Sequence, residues 1–190
     1  SLMLDNPIPQ SAEELALRMI VLAAALMLDW LFGEPDMLWR RIPHPVVLFG
    51  RAIGLAEQFS NRRKAFRGLT RRRAGIGAML VLAPVAGFVG IGVSLGGVLA
   101  ELVVLTILLA GRSLDDHIRA VSSALGENMQ AARDAVAMIV GRDTNQMDDA
   151  DIARAAIETG AENLSDGVIA PAFWFLLLGL PGLLIYKVTN

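Results

Sequence analysis

The sequence predicts an all-α, polytopic integral membrane protein, and three observations carry that prediction. Of its 190 residues 54% are hydrophobic and none is cysteine, with a mean hydropathy of +0.52, more apolar than ordinary soluble domains. Residues 75–111 contain a single ionisable side chain, Glu101. The charges segregate: residues 33–74 hold ten Arg/Lys against three acids, whereas 112–167 hold five Arg against eleven acids. No stretch alternates apolar and polar residues as a half-buried strand does. About four membrane segments in one domain are expected to carry two polar blocks of opposite charge, so chemistry at a membrane surface is the natural expectation.

Each element follows from local signals. Ser11-Ala-Glu-Glu14 forms a capping box, and the helix behind it, 12–32, is about 30 Å long, enough to cross hydrocarbon. Arg18 falls near one interface and Asp29 near the other, and Gly33 and Pro35 end the helix. The acidic start of the chain lacks the positive region of a cleavable signal peptide. The 75–111 block exceeds the ~20 residues one span needs. Its glycines at 87, 90, 92, 96 and 97 divide it into spans 75–94 and 98–111 joined by a tight turn, with one long kinked helix as the competing reading. The positive-inside rule puts the 40–73 arginines in the cytoplasm, and a hairpin returns 112–167 to that side.

The acidic block reads as three helices. Residues 113–125 place Leu114, Ile118, Val121 and Leu125 on one face. Gly126 ends that helix, and Asn128 can cap a second carrying Met129, Ala132, Val136 and Ile139. The third, 149–163, aligns Asp151, Arg154, Glu158 and Glu162, with Ala153, Ile157, Gly160 and Ala161 as a small packing face. The segment 168–186 is long enough to cross, but Pro171 and Pro181 predict a kinked or re-entrant helix.

Zero cysteines exclude disulfides, thiolate zinc sites and a cysteine nucleophile. Gly92-Val-Ser94-Leu-Gly96 matches a nucleophile elbow, yet no strand precedes it and small-residue packing between spans explains it better. There is no Walker A loop, and two distant histidines do not make a zinc site.

Four polar clusters remain. Asp29–Pro35 with Pro43-His44-Pro45 fixes an imidazole between two prolines, although a rigid interfacial turn anchored by Trp30 and Trp39 explains it as well. Arg112-Ser113-Leu-Asp115-Asp116-His117 opens a helix, where Arg112 can snorkel, Ser113 can cap and the aspartates suit the helix dipole; only His117 is surplus to that account. Gly141-Arg142-Asp143-Thr144 could bind phosphate or metal, or pair internally. Glu158, Glu162, Asn163, Ser165 and Asp166 bring five oxygen-bearing side chains to a helix end at the membrane surface. Hard cations such as Mg²⁺ take oxygen ligands; a solvated acidic face is the bland alternative.

At these clusters the chain resembles the adenosylcobinamide-phosphate synthase family of cobalamin biosynthesis, also called CobD/CbiB. The resemblance rests on Asp29–Pro35, Pro43–Val46 with Gly50-Arg51, Arg112-Ser113 with His117, Gly141–Thr144, and Ala161–Gly167 through Pro171, in the family's order from about residue 15 onward. The family usually shows Thr where this chain has Leu164, and its members continue beyond Asn190, so this chain is expected to be an N-terminal portion. The resemblance implies an ATP-dependent membrane ligase that joins aminopropanol, free or phosphorylated, to cobyric acid through a new amide.

For that chemistry, His44, His117 and Asp143 are the expected catalytic residues. Arg51, Arg112, Arg142, Asn163 and Ser165 would hold substrate or phosphate. Glu158, Glu162 and Asp166 would hold Mg²⁺, with ATP as second cofactor and the corrinoid as substrate. The active face would be cytoplasmic on a bacterial cell membrane, with lipid contacts and no nucleic-acid partner, and a homo-oligomer is compatible with this reading. Two alternatives differ in class: a membrane sensor of the related β-lactamase-regulatory type, and a small-molecule transporter, for which Glu101 alone speaks.

Overall fold

The computed structural model describes residues 8–33 and 69–190. Among them the regular structure is all helical: α1 (Ala12–Phe32), α2 (Leu69–Ser94), α3 (Val98–Leu108), α4 (Gly111–Leu125), α5 (Met129–Ala137), α6 (Asp149–Leu164), a π-helical segment (Ser165–Ile169) and α7 (Ala170–Thr189). By length and composition three helical stretches are apolar enough to cross a membrane: Ala12–Phe32, Gly75–Ser94 and the continuous run Asp149–Thr189. Their outward residues include Leu31, Leu80, Val81, Phe88 and Val89, all more than half exposed. Apolar side chains in such numbers suit lipid, because a soluble monomer rarely displays a patch of that size.

The capping signals at Ser11 and Asn128 act as the sequence predicts, whereas Ser113 lies inside its helix, whose N-cap is Ala110 and whose first turn holds no acid. The Ser11 hydroxyl accepts the Glu14 amide at 3.2 Å, and the Glu14 carboxylate accepts from the Gln10 amide at 2.6 Å. Asn128 likewise accepts the Ala131 amide at 2.8 Å to start α5. Between α2 and α3 the chain turns at Leu95–Gly97, where Gly97 takes φ 80°, a backbone region that glycine enters without steric cost. Contacts of α2 with α7 run in antiparallel order: Cβ atoms at Gly87 and Gly90 would meet Ile185 and Pro181 respectively.

Two elements differ from their expected extents. The segment expected to span 98–111 is helical only to Leu108, about 16 Å at ~1.5 Å per residue, roughly half of a 30 Å hydrocarbon core. The reason lies in α1. The buried Asp29 carboxylate accepts the Gly111 amide at 2.9 Å and the Arg112 amide at 3.2 Å, so it starts a new helix where the old one would have continued. This is an N-cap delivered from another helix. Replacing Asp29 by Ala should cost about 1–2 kcal/mol, read as a lowered thermal midpoint in detergent, with Asp29→Asn milder because it keeps one acceptor oxygen.

The second difference is α7, which folds back on itself. Gly179 has φ 65° and ψ −158° inside the helical run, a region essentially reserved for glycine. A Cβ on Gly182 would lie 2.9 Å from the Trp174 carbonyl oxygen, although residues eight apart in a continuous helix are separated by about 12 Å. Thr189 and Asn190 therefore return to the level of Asp166. The run expected to be kinked or re-entrant thus reverses at Gly179 into a first arm, Ala170–Leu178, and a second, Leu180–Thr189.

The levels agree between helices. A Cβ built on Gly111 would meet both Asp29 and Val168, and eleven positions separate Asp29 from Arg18 and Val168 from Gly179. Both intervals are about 16 Å, and they bring Arg18 to the arm tip, 3.7 Å from a Cβ built on Gly179. There Arg18 Nη1 donates to the Leu176 carbonyl at 3.2 Å, satisfying one of the carbonyls that end the first arm. Glu101 faces Arg18 and receives the Ser94 hydroxyl, while its Oε2 is buried with no hydrogen-bond partner among the described residues. An orphaned acceptor of this kind costs roughly 1–3 kcal/mol.

Two cores result. One, in the apolar bundle, joins Val21, Leu22 and Ala25 of α1 to Leu105 and Leu108 of α3 and to Phe175, Leu180 and Leu183 of α7. The other joins Val121, Ala132, Val136, Ile152, Ala155 and Ala156 in a layer of α4, α5 and α6. The faces expected for α4 and α5 pack as the periodicity predicts. On α6 the expected small face is displaced: Ile152, Ala155 and Ala156 are buried, whereas Ile157 is 73% exposed. Close packing uses Gly160 alone of that set, with Ile118 pressed against it.

Candidate functional site

Where the α4–α6 layer meets the π segment and the returning arm of α7, a cavity of about 400 Å³ opens. Its polar lining is Ser113, His117, Asn163, Asp166, Lys187 and Asn190. Three of the residues expected from sequence, His117, Asn163 and Asp166, therefore meet here, while Lys187 and Asn190 join them only through the fold-back.

His117 comes from the second turn of α4. Its Nδ1 stands 2.6 Å from the Ser113 carbonyl oxygen. A carbonyl can only accept, so Nδ1 carries the proton and Nε2 holds the acceptor lone pair in the neutral ring. One ring nitrogen is thus fixed as a base by a backbone contact four residues earlier. Asp166 lies in the π segment, where the Ala170 amide bonds the Ser165 carbonyl, the i→i+5 spacing that recurs at functional sites. Its carboxylate accepts from Tyr186 Oη and Asn190 Nδ2, each at 3.3 Å, and Lys187 Nζ stands 3.5 Å from its carbonyl oxygen. The Asp166 side chain thereby ties the end of the returning arm to its start.

The other expected residues lie elsewhere. Glu158 reaches Arg142 at 3.5 Å, and both side chains are more than half exposed, a pair worth at most about 1 kcal/mol. Glu162 and Ser165 are exposed, and neither lines the cavity. Asp143 accepts from the Asn145 amide at 3.0 Å and from Asn145 Nδ2 at 2.7 Å, an Asx turn that shapes the loop before α6. Arg112 is engaged toward α1: its Nε meets both Asp116 oxygens at 3.0 Å, its Nη1 donates to the Trp30 carbonyl at 3.2 Å, and its guanidinium sits 5.8 Å from the Trp30 ring centroid. Asp115 bonds Arg119 at 2.6 Å and holds that guanidinium above its ordinary range. His44 and Arg51 lie outside the described residues.

Among the described residues no three His, Asp or Glu side chains converge in a way that could hold a metal. The trio Glu158, Glu162 and Asp166 does not by itself fit a divalent ion. The buried stripe Ile152, Ala155 and Ala156 turns Glu158 and Glu162 outward, whereas Asp166 is engaged by the returning arm. Lys187 and Asn190 were not foreseen. Their signal was present in Gly179 and Pro181: a reversal there sets residues 186–190 opposite 166.

A family model described as CobD/Cbib protein matches residues 22–190. The chain is 45% identical over 184 residues to a protein of Brucella anthropi named cobalamin biosynthesis protein CobD, covering 92% of this chain and 55% of that one. Proteins of the same name from Sinorhizobium sp and Rhodobacter capsulatus are 44% and 41% identical, each covering 90% of this chain and 55% of the relative. The chain thus spans a little over half the length of these relatives. No solved structure matches it.

Proposed function

We propose, from the premise that this chain belongs to the CobD/Cbib family, that it contributes to cobalamin biosynthesis a membrane-surface site for forming an amide between a corrinoid carboxylate and an aminopropanol donor. The observation that carries this reading is His117, whose Nε2 is the acceptor nitrogen in a cavity shared with Asp166, Asn163 and Lys187. Amide formation needs an activated carboxylate carbon, a neutral amine to attack it, and a base for the proton the amine sheds. His117 Nε2 suits that last role.

Lys187 supplies a positive charge for an anionic group, either the phosphate of a phosphorylated donor or the oxygens that gather charge during attack. Asn163 and Asn190 offer amide donors and acceptors to orient a hydroxyl. A cavity of about 400 Å³ suits a three-carbon donor together with the reacting arm of a corrinoid, not the whole macrocycle. Activation of the carboxylate by ATP is part of the proposed reaction, and no described residue is assigned to it.

The test is direct. The purified full-length protein in detergent, given cobyric acid, aminopropanol or its phosphate, and ATP with Mg²⁺, should yield the amide by mass spectrometry. Binding of the corrinoid without product would favour a sensor. Protein-dependent movement of a solute across vesicles, again without product, would favour a transporter.

A further inference from the structure

A second cavity, also about 400 Å³, lies in the apolar bundle away from His117, and nothing in the proposed reaction uses it. Its long wall is α2, from Pro84 through Phe88 and Ile91 to Ser94, and the arm tip at Gly179 and Pro181 closes the other side. Arg18 and Glu101 stand at its polar end. Ser94 is the last residue of α2, and Glu101 sits in the first turn of α3, so the charged pair lies about one helical turn inside the boundary marked by the Leu95–Gly97 turn.

The unusual group is Glu101. Only 2% of the residue is exposed, yet among the described residues its Oε2 has no hydrogen-bond partner while it lines this cavity. Buried polar atoms are nearly always satisfied, so such an orphan signals an unseen partner. That partner must donate a hydrogen bond. A bare metal cation is disfavoured by the guanidinium of Arg18, which already acts on the same carboxylate.

We infer that this cavity is a binding site for an aminophospholipid: the primary ammonium donates to Glu101 Oε2, the phosphate lies toward Arg18, and an acyl chain runs along α2 between Ser94 and Pro84. The charge order favours a zwitterion, because carboxylate and guanidinium lie side by side and an anionic headgroup would meet Glu101 unfavourably. The apolar walls suit an alkyl chain, which needs no directional partners. At Gly87 the wall is a close approach of α2 to α7, where an added Cβ would lie 3.3 Å from Ile185, so a larger side chain there has the cavity as its outlet.

Native mass spectrometry of the purified protein, released from micelles with equal amounts of phosphatidylethanolamine and phosphatidylcholine, tests this. The two lipids differ at the headgroup nitrogen: the first has three N–H donors and the second none. Wild type should retain phosphatidylethanolamine roughly five- to tenfold over phosphatidylcholine, as expected for one charge-assisted hydrogen bond. Glu101→Leu should abolish the preference, and Gly87→Leu, which leaves the carboxylate in place and fills the chain groove, should reduce retention of both lipids. Equal retention by wild type, as when water alone satisfies Glu101, overturns the assignment. So does a preference that survives Glu101→Leu or, should that variant not fold, retention of both lipids at the wild-type level by Gly87→Leu.

Discussion

Gly90→Val should displace the paired arms of α7 from their seat on α2 and lower stability by about 2–3 kcal/mol or more. A Cβ at Gly90 would lie 2.6 Å from the Pro181 Cα and 2.7 Å from its nitrogen. Both are backbone atoms and cannot swing aside as a side chain can. Gly179→Ala attacks the same seat differently, by forcing a side chain into a backbone region essentially confined to glycine, at about 1–3 kcal/mol. The internal control is Gly92→Ala, two residues along α2, where an added Cβ meets nothing within 4 Å. Thermal unfolding in detergent should fall sharply for the first two variants and not at all for the third. A midpoint for Gly90→Val equal to that of Gly92→Ala would mean that the second arm does not pack as described.

His117→Ala should lower amide formation by about 10²–10⁴-fold, the usual contribution of a positioned acid–base group, with little change in thermal midpoint because the ring is half-buried. Asp166→Ala should lose activity for another reason. It releases Tyr186 and Asn190 and with them the placement of Lys187, so the returning arm loosens and both midpoint and turnover drop. Arg154→Gln, on the solvated face of α6 and paired with Asp151 at 3.5 Å, is the control expected to keep full turnover. Product at the wild-type rate from the folded His117 variant would remove the base from the proposed reaction.

Most helices were legible because their signals are local. Ser11 and Asn128 cap the helices they precede, Gly33 and Gly126 end others, and the apolar faces of α4 and α5 follow 3.6-residue periodicity. What could not be read was set by partners far along the chain. Asp29 caps α4 from 82 residues away, so the end of α3 is decided by a carboxylate that no local pattern connects to it. The buried face of α6 is chosen by the helices it packs against rather than by its own small residues. At the site, His117 was legible as the one residue its helix did not otherwise need. The grouping of Glu158 and Glu162 with Asp166 failed to form because spacing along a helix does not reveal which stripe the neighbours will bury.

The hydrogen bond from Arg18 to the Leu176 carbonyl joins residues 158 positions apart, and that separation carries a consequence for biogenesis. At roughly 5–20 residues per second of synthesis, about 8–30 s pass between the emergence of Arg18 and that of its carbonyl acceptor. Arg18 lies in the second turn of α1, and a guanidinium inside an inserting helix is costly until a partner satisfies it. The first helix therefore lacks this acceptor until α7 is made, and its final seating waits on that helix.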